Sequence, residues 1–208
     1  MRHRMVLCRV GCRVFRSVEP AWNDQNLPEL ASHVSSPLFF AYVRAAIGSA
    51  IQPTSTLAGV LDRYHPEGEA ETADLPRIRV FAETADDPWR RDIPLHLTAS
   101  ALIVHPGTGR VLLRWHQRYH AWRHVGGHGD VGESDPLAIA AREASEETGL
   151  HDLEPWPDAA IRHVVIVDVP AGNGEPAHQH ADIRYFMATR TPDQARAEHR
   201  MPRCAGCP

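Results

Sequence analysis

The chain has 208 residues, with 22 basic and 26 acidic side chains and a net charge of -4. That length holds one domain with an extension, and the interspersed charge gives no whole-chain field for nucleic acid or a membrane surface, so a small-molecule partner is expected. Every basic residue is an arginine, which excludes a lysine Schiff base or nucleophile and leaves the planar guanidinium to hold any phosphate.

Residues 1 to 18 carry Arg2, Arg4, Arg9, Arg13 and Arg16 without an acid. Arginines interrupt each apolar run, so a secretory signal is excluded and a disordered tail is expected. The four cysteines, Cys8, Cys12, Cys204 and Cys207, lie only at the two ends. Their spacing is not that of a disulfide framework, and a reducing, cytoplasmic setting is the expectation. A four-thiolate zinc clasp between the tails is the alternative.

Residues 19 to 93 are expected to form a helical extension and linker. Apolar residues recur at helical spacing over Pro37 to Ile51 and Leu57 to Tyr64, with Ser55 or Thr56 as a cap for the second. Leu38 to Ile51 is too short for a membrane span and contains Arg44. Pro66 to Asp74 is acidic without an apolar period and is expected to be a linker, Arg77 to Phe81 a short ordered segment, and Asp86-Asp87-Pro88 a break.

From residue 94 to 190 the texture changes to short runs of β-branched and aliphatic residues bounded by turn residues. His96 to His105 reads as a strand, Pro106 to Gly109 as a tight turn, and Arg110 to Trp115 as the returning strand of a hairpin. Trp122 to Val125 is a third strand, ending in Gly126-Gly127, and a helix is expected from Pro136 to Thr148. Strands near His163 to Val169 and Asp182 to Thr189 complete a mixed sheet, with 191 to 208 as a tail.

The helix is well delimited, since Asp135 suits the cap, Pro136 the first position and Gly149 the left-handed stop. At about 100 degrees per residue, Leu137, Ala140, Ala141 and Ala144 share an apolar face while Glu143, Glu146 and Glu147 converge on another. Three like charges this close call for a positive partner, and hard divalent ions such as Mg²⁺ take a few carboxylate oxygens while keeping positions for water and phosphate.

On these residues the sequence resembles the Nudix, or MutT-like, hydrolases, whose signature runs Gly, five residues, Glu, seven residues, then Arg-Glu-U-x-Glu-Glu-x-Gly-U, with U a bulky aliphatic. Gly127, Glu133, Arg142, Glu143, Glu146, Glu147, Gly149 and Leu150 fill those places. There are two departures: eight residues separate Glu133 from Arg142, and Ala144 stands where the family has a bulky aliphatic. The extra residue falls in Ser134-Asp135-Pro136, where a loop can absorb it without turning the three glutamates relative to one another. The resemblance spans about residues 95 to 190.

The resemblance implies an α/β (α+β) fold, a mixed β-sheet between helices, here with an N-terminal helical extension and a C-terminal tail that stops short of the family's closing strand and helix. It further implies hydrolysis of a diphosphate linkage in a nucleoside diphosphate derivative or related organic diphosphate, by water attack at phosphorus. Glu143, Glu146 and Glu147 would hold Mg²⁺ or Mn²⁺ with the carbonyl of Gly126, Arg142 would orient a glutamate, and Glu146 is a candidate base.

Beyond the signature, His178, His180, Asp182 and Arg184 alternate, so in a strand they share one face while Ile183, Tyr185 and Met187 share the other. That face is expected to meet the site, with Glu175 or Asp182 as a further ligand and Arg184 or a histidine on phosphate. A His-x-His-x-Asp zinc site is the alternative. Gly127, His128 and Glu133 complete the candidate substrate-binding set, whereas His116, His120 and His124, with Trp115, Trp122 and Trp156, are expected in core or surface roles.

Two other functions fit the sequence. One is a Nudix-fold module that binds a diphosphate ligand without cleaving it; the other is a His/Cys metal-binding interaction protein. An isomerase of the same fold would need a site cysteine, and none lies between Cys12 and Cys204.

Overall fold

The computed structural model of the chain describes residues 5–9, 57–116, 118–172 and 174–196. The helix expected over Pro37 to Ile51 and the tail cysteines Cys12, Cys204 and Cys207 lie outside them. No helix among the described residues is long and apolar enough to cross a membrane.

In chain order the elements are β1 (Met5–Arg9), α1 (Leu57–Asp62), α2 (Glu69–Thr84), β2 (Leu95–His105), β3 (Arg110–His116), β4 (Ala121–Arg123), β5 (Val125–Gly127), α3 (Pro136–Thr148), β6 (Glu154–Pro155), β7 (His163–Val169), β8 (His178–Ala188) and a 3-10 turn at Pro192–Gln194. The strands form one mixed sheet ordered β1-β3-β2-β8-β6, with β4 paired to β3, β5 to β2 and β7 to β8. Among the described strands only β2 and β8 run parallel, in register from Leu95↔Gln179 to Val104↔Ala188; the other pairs are antiparallel. This is the mixed α/β arrangement expected from the strand and helix pattern.

Period-two alternation sorts the two central strands. Leu97, Ala99, Ala101 and Ile103 of β2 join Ala181, Ile183, Tyr185 and Met187 of β8 in the core, against Ile139, Ala140 and Ala144 of α3. The opposite parity is polar: His96, Thr98 and Ser100 are paired in register with His180, Asp182 and Arg184. Both faces are buried here except at His180, which is half-buried, so from Asp182 on the β8 polar face is an interior surface and not the solvated side of a half-buried strand.

The structure corrects the sequence reading in several places. The run expected as one strand from Trp122 to Val125 divides, β4 returning along β3 and β5 turning onto β2. The last strand begins at His178 rather than Asp182. Within the arginine-rich tail expected to be disordered, Met5–Arg9 forms an edge strand on β3. The segment Pro66 to Asp74, expected as a linker, enters α2 at Glu69, and Arg77 to Phe81 is part of the same helix.

The reason α2 escaped the periodicity is that its key inward residues are acids. Buried Glu71 takes the amides of Glu67 and Gly68 at 2.9 and 3.2 Å, satisfying the helix start, and accepts a short hydrogen bond from the Tyr64 hydroxyl. Its Oε1 also takes the Val164 amide at 3.3 Å, and Asp74 takes that of Ile166 at 2.8 Å. Two carboxylates three residues apart on one helix thus close alternate donors of β7, while Leu75 and Ile78 supply the apolar contact.

Removing Glu71 would strand several of these donors in a buried setting, each costing about 1–3 kcal/mol if unmet. Glu71→Ala is expected to lower stability in urea by about 3 kcal/mol, whereas Glu83→Ala, on the exposed side of the same helix, should change it by less than about 0.5 kcal/mol. Equal effects at the two positions would refute the role given to Glu71.

Candidate active site

Helix α3 starts where its sequence says it should. Asp135 accepts from the amides of Leu137 and Ala138 at 2.9 and 3.4 Å, Pro136 follows, and Gly149 ends the helix at φ 68°. Ile139, Ala140 and Ala144 are fully buried, with Leu137 and Ala141 partly so. Ala144, in place of a bulky aliphatic, lies against the sheet with no exposed surface.

The three glutamates do not share one environment. The side chains of Glu143 and Glu147 are each 6% exposed and that of Glu146 is 46% exposed. Arg142 ties the group together: one terminal nitrogen contacts Glu143 and Glu146, each at 3.2 Å, while the other donates to Glu133 and to the His128 carbonyl, each at 2.8 Å. Its Nε also reaches both Glu133 oxygens at 3.1 Å. The one-residue insertion therefore leaves Glu133 bound to Arg142, and that bond, with the Asp130 amide, holds the Glu133 carboxyl below its ordinary range. Glu147 has its own cation, Arg114 at 2.8 Å, and also receives the Gly126 amide at 3.3 Å.

Close approach of β5 explains the glycine pair. A Cβ on Gly126 would lie 2.4 Å from Ser100 Oγ and 2.5 Å from Ser100 Cα, at a φ of +150°. A Cβ on Gly127 would lie 2.7 Å from the Glu143 carboxyl carbon and Oε2. Bare backbone is thus pressed onto the polar face of β2 on one side and onto the helix carboxylates on the other.

The facing wall is built on Asp182. It accepts from Thr98 Oγ1 at 2.9 Å, Ser100 Oγ at 2.8 Å and Arg184 Nε at 2.7 Å, and His124 Nε2 stands 3.6 Å away. Burial alone would raise this carboxyl, but Arg184 and His124 hold it well below the usual carboxylate range. Burial wins at His124, with help from Arg184, and the imidazole falls to about 4 despite Asp182 beside it.

A cavity of about 270 Å³ gathers these groups, lined by Gly126, Gly127, His128, Glu143, Glu147, His178, His180 and Asp182. Four of the expected residues are not on its wall. Arg142, Glu133 and Glu146 lie off the wall and are joined to Glu143 through the Arg142 guanidinium. Arg184, expected on phosphate, is 1% exposed, and its guanidinium is engaged by Asp182 with His163 at 3.4 Å; it positions Asp182 instead. A roomier cleft, about 1920 Å³, lies beside Trp89, Glu133 and Tyr185 and touches none of the three helix glutamates, so the smaller cavity is the candidate site.

Sequence reasoning missed Arg114, Arg118, Arg123 and Arg91, which line the same cavity, as well as Thr98 and Ser100. A signal existed for Arg114: it has the parity of the core residue Leu112 on β3, and an arginine on an inward position needs a buried acid. Arg91 and Arg118 come from loops and carry no comparable mark. The donors from the helix are all oxygens, and Glu143 and Glu147 present theirs beneath side-chain-free backbone, so the set fits a hard divalent ion.

Comparison with known proteins places the chain. The NUDIX domain model matches residues 94–203. No curated protein matches. Among solved structures, the crystal structure of C. elegans Ap4A hydrolase is similar at 22% identity over 50% of this chain and 74% of that one, with a TM-score of 0.37.

The glycine pair gives a paired expectation. Gly126→Ala drives a Cβ into backbone and should cost about 3 kcal/mol in urea denaturation. Gly127→Ala meets only a carboxylate tip and should keep the fold while displacing Glu143, read as weaker divalent-ion binding. The reverse ranking in stability would contradict the packing described.

The buried and half-buried histidines set a pH dependence. His124, His163 and His180 sit near 4, 3 and 4, below the unfolded value of about 6.5. Between these values the unfolded chain binds more protons, so stability rises with pH there and is lost as pH falls from about 6.5 toward 4, by up to about 1.4 kcal/mol per pH unit for each histidine. Asp182, also depressed, adds a loss only below about 4. Urea midpoints measured from pH 8 to 4 should fall most steeply below 6.5, and a flat profile over that range would refute the burial of these rings.

Proposed function

Since the chain belongs to the NUDIX domain family, whose hydrolases act on small diphosphate compounds, we propose that it cleaves a diphosphate linkage in a nucleoside diphosphate derivative or related organic diphosphate, with Mg²⁺ or Mn²⁺ as cofactor. The observation that carries this reading is the cavity itself, with Glu143 and Glu147 on one wall under the glycine pair and four arginines around it.

In this reading Glu143 and Glu147, which line the cavity, hold the ion with the Gly126 carbonyl as a further ligand, and Glu146 joins them by a side-chain movement from its place off the wall. When bound, the ion neutralises charge on the diphosphate and lowers the pKa of a water. The chain's own residues do the rest. Arg142 spans Glu133, Glu143 and Glu146, linking all three carboxylates with one planar group. Arg91, Arg118 and Arg123 face the cavity and supply donors for phosphate oxygens, with His128, His178 and His180 beside them. Attack by water needs a proton acceptor, and the candidate is Glu146, which lies off the cavity wall, is tied to Arg142 at 3.2 Å and at 46% exposure has room to swing toward the cavity.

Arg114 has a distinct part. It offsets the charge of Glu147 at 2.8 Å, a charge that would be costly to bury alone. Its guanidinium also borders the cavity, so on ligand binding it can exchange part of that contact for a phosphate oxygen.

A panel of diphosphate compounds assayed with and without Mg²⁺ or Mn²⁺ tests the reading. Wild type should turn over at least one of them only with the ion, and Glu147→Gln should lower kcat/KM by on the order of 10²- to 10³-fold with the fold intact. Binding of a diphosphate without turnover by wild type would transfer the assignment to a non-hydrolytic binding module.

A further inference from the structure

A second cluster of donors lies in the same region but has a different chemistry. His96 from β2, His180 from β8 and His128 just past β5 present ring nitrogens that all lie within 4.8 Å of one another. We propose that His96, His128 and His180 form a binding site for a borderline divalent transition metal ion of the Zn²⁺ kind, separate from the hard-ion site of the glutamate helix.

The tautomers support it. His96 Nδ1–H donates to the Ile93 carbonyl at 3.0 Å, which leaves Nε2 as a lone pair aimed at His128 Nε2, 3.0 Å away. This is the outer hydrogen bond that fixes and orients an imidazole ligand. His96 is 1% exposed, so its ring is held by packing as well. The neighbouring His178 repeats the pattern: Nδ1–H donates to the Pro176 carbonyl at 2.8 Å and Nε2 stands 3.1 Å from His180 Nε2. Four rings with centroids about 5 Å apart meet at the end of the β2–β8 pair.

The His96–His128 pair, at 3.0 Å, already has nearly the spacing the ion needs, and with all three nitrogens within 4.8 Å a small ring movement brings in His180. Zinc–nitrogen bonds of about 2.0–2.1 Å in a tetrahedron place ligand nitrogens about 3.3 Å apart. Burial keeps the rings uncharged, His128 falling to about 3 and His180 to about 4, with His96 also lowered. Imidazole suits Zn²⁺, Co²⁺ and Ni²⁺ and is a poor match for Mg²⁺. Three imidazoles leave one position, to be taken by His178, by water or by an oxygen of a ligand in the cavity.

The ligand set differs from the one the β8 alternation alone suggested. Asp182 has its oxygens committed to Thr98, Ser100 and Arg184, and its place is taken by His96 and His128 from other elements. The site stands independently of hydrolysis, and so does its test.

Metal-stripped full-length protein is titrated with Zn²⁺ and Co²⁺. Wild type should bind one equivalent at this site, with visible Co²⁺ bands of nitrogen and oxygen ligation and no thiolate charge transfer. His128→Ala and His180→Gln should each weaken Zn²⁺ on the order of 100-fold, while Glu147→Gln leaves the affinity unchanged. Histidine ¹⁵N spectra of unmodified protein answer the same question without a substitution, since Zn²⁺ should shift the His96, His128 and His180 rings first. Wild-type affinity in both histidine variants, a thiolate-dominated Co²⁺ spectrum, or unshifted rings in the presence of Zn²⁺ would each overturn the proposal.

Discussion

Parallel pairing of β2 with β8, in register from Leu95↔Gln179 to Val104↔Ala188, is the constraint on which the other features depend. Because side chains alternate strictly, a slip of one residue would send Ala181, Ile183, Tyr185 and Met187 to the polar face and Asp182 and Arg184 into the core. The register also decides which polar groups meet. His96 lies beside His180, Thr98 beside Asp182 and Ser100 beside Arg184, so two hydroxyls arrive where the buried carboxylate needs donors.

Onto that frame α3 brings like charges into a buried region. Glu143 and Glu147 could not stay ionised there unaided, since an isolated buried carboxylate costs far more than a helix contact returns. The remedy is divided between two arginines of different origin. Arg142 comes from the helix and spans Glu133, Glu143 and Glu146; Arg114 comes from β3 and meets Glu147. The glycine pair completes the arrangement by letting β5 lie between the carboxylates and Ser100, where any side chain would force them apart. Charge balance and close approach are therefore one problem, solved by the same few residues.

How much of this was legible in the sequence depended on whether the signal was local. The α3 boundaries rest on Asp135, Pro136 and Gly149, and the glutamate spacing rests on helical geometry, so both could be read from consecutive residues. Alternation in β8 correctly separated His178, His180, Asp182 and Arg184 from Ile183, Tyr185 and Met187. What alternation could not tell is depth: it put Arg184 on the right face, yet only the tertiary structure shows that Asp182 and His163 enclose it. Helix α2 was missed for the opposite reason, since Glu71 and Asp74 face inward to serve β7 amides and an inward acid erases the apolar period. Arg91, Arg118 and Arg123 reach the cavity through chain crossings that no local pattern records.

Asp182 also explains why the histidines and the glutamates remain two separate donor sets within one cavity. A free carboxylate between them would join imidazole and oxygen ligands into a single mixed site. Thr98, Ser100 and Arg184 instead hold its oxygens, and its charge is matched by a guanidinium that burial has taken out of solvent. On the glutamate side the donors are hard, anionic and framed by arginines. On the other side they are imidazoles whose outer nitrogens, at His96 and His178, are tied to carbonyls. The same strand that supplies His178 and His180 thus supplies the group that keeps them apart from the carboxylates, through the two-residue alternation that places all of them on one face.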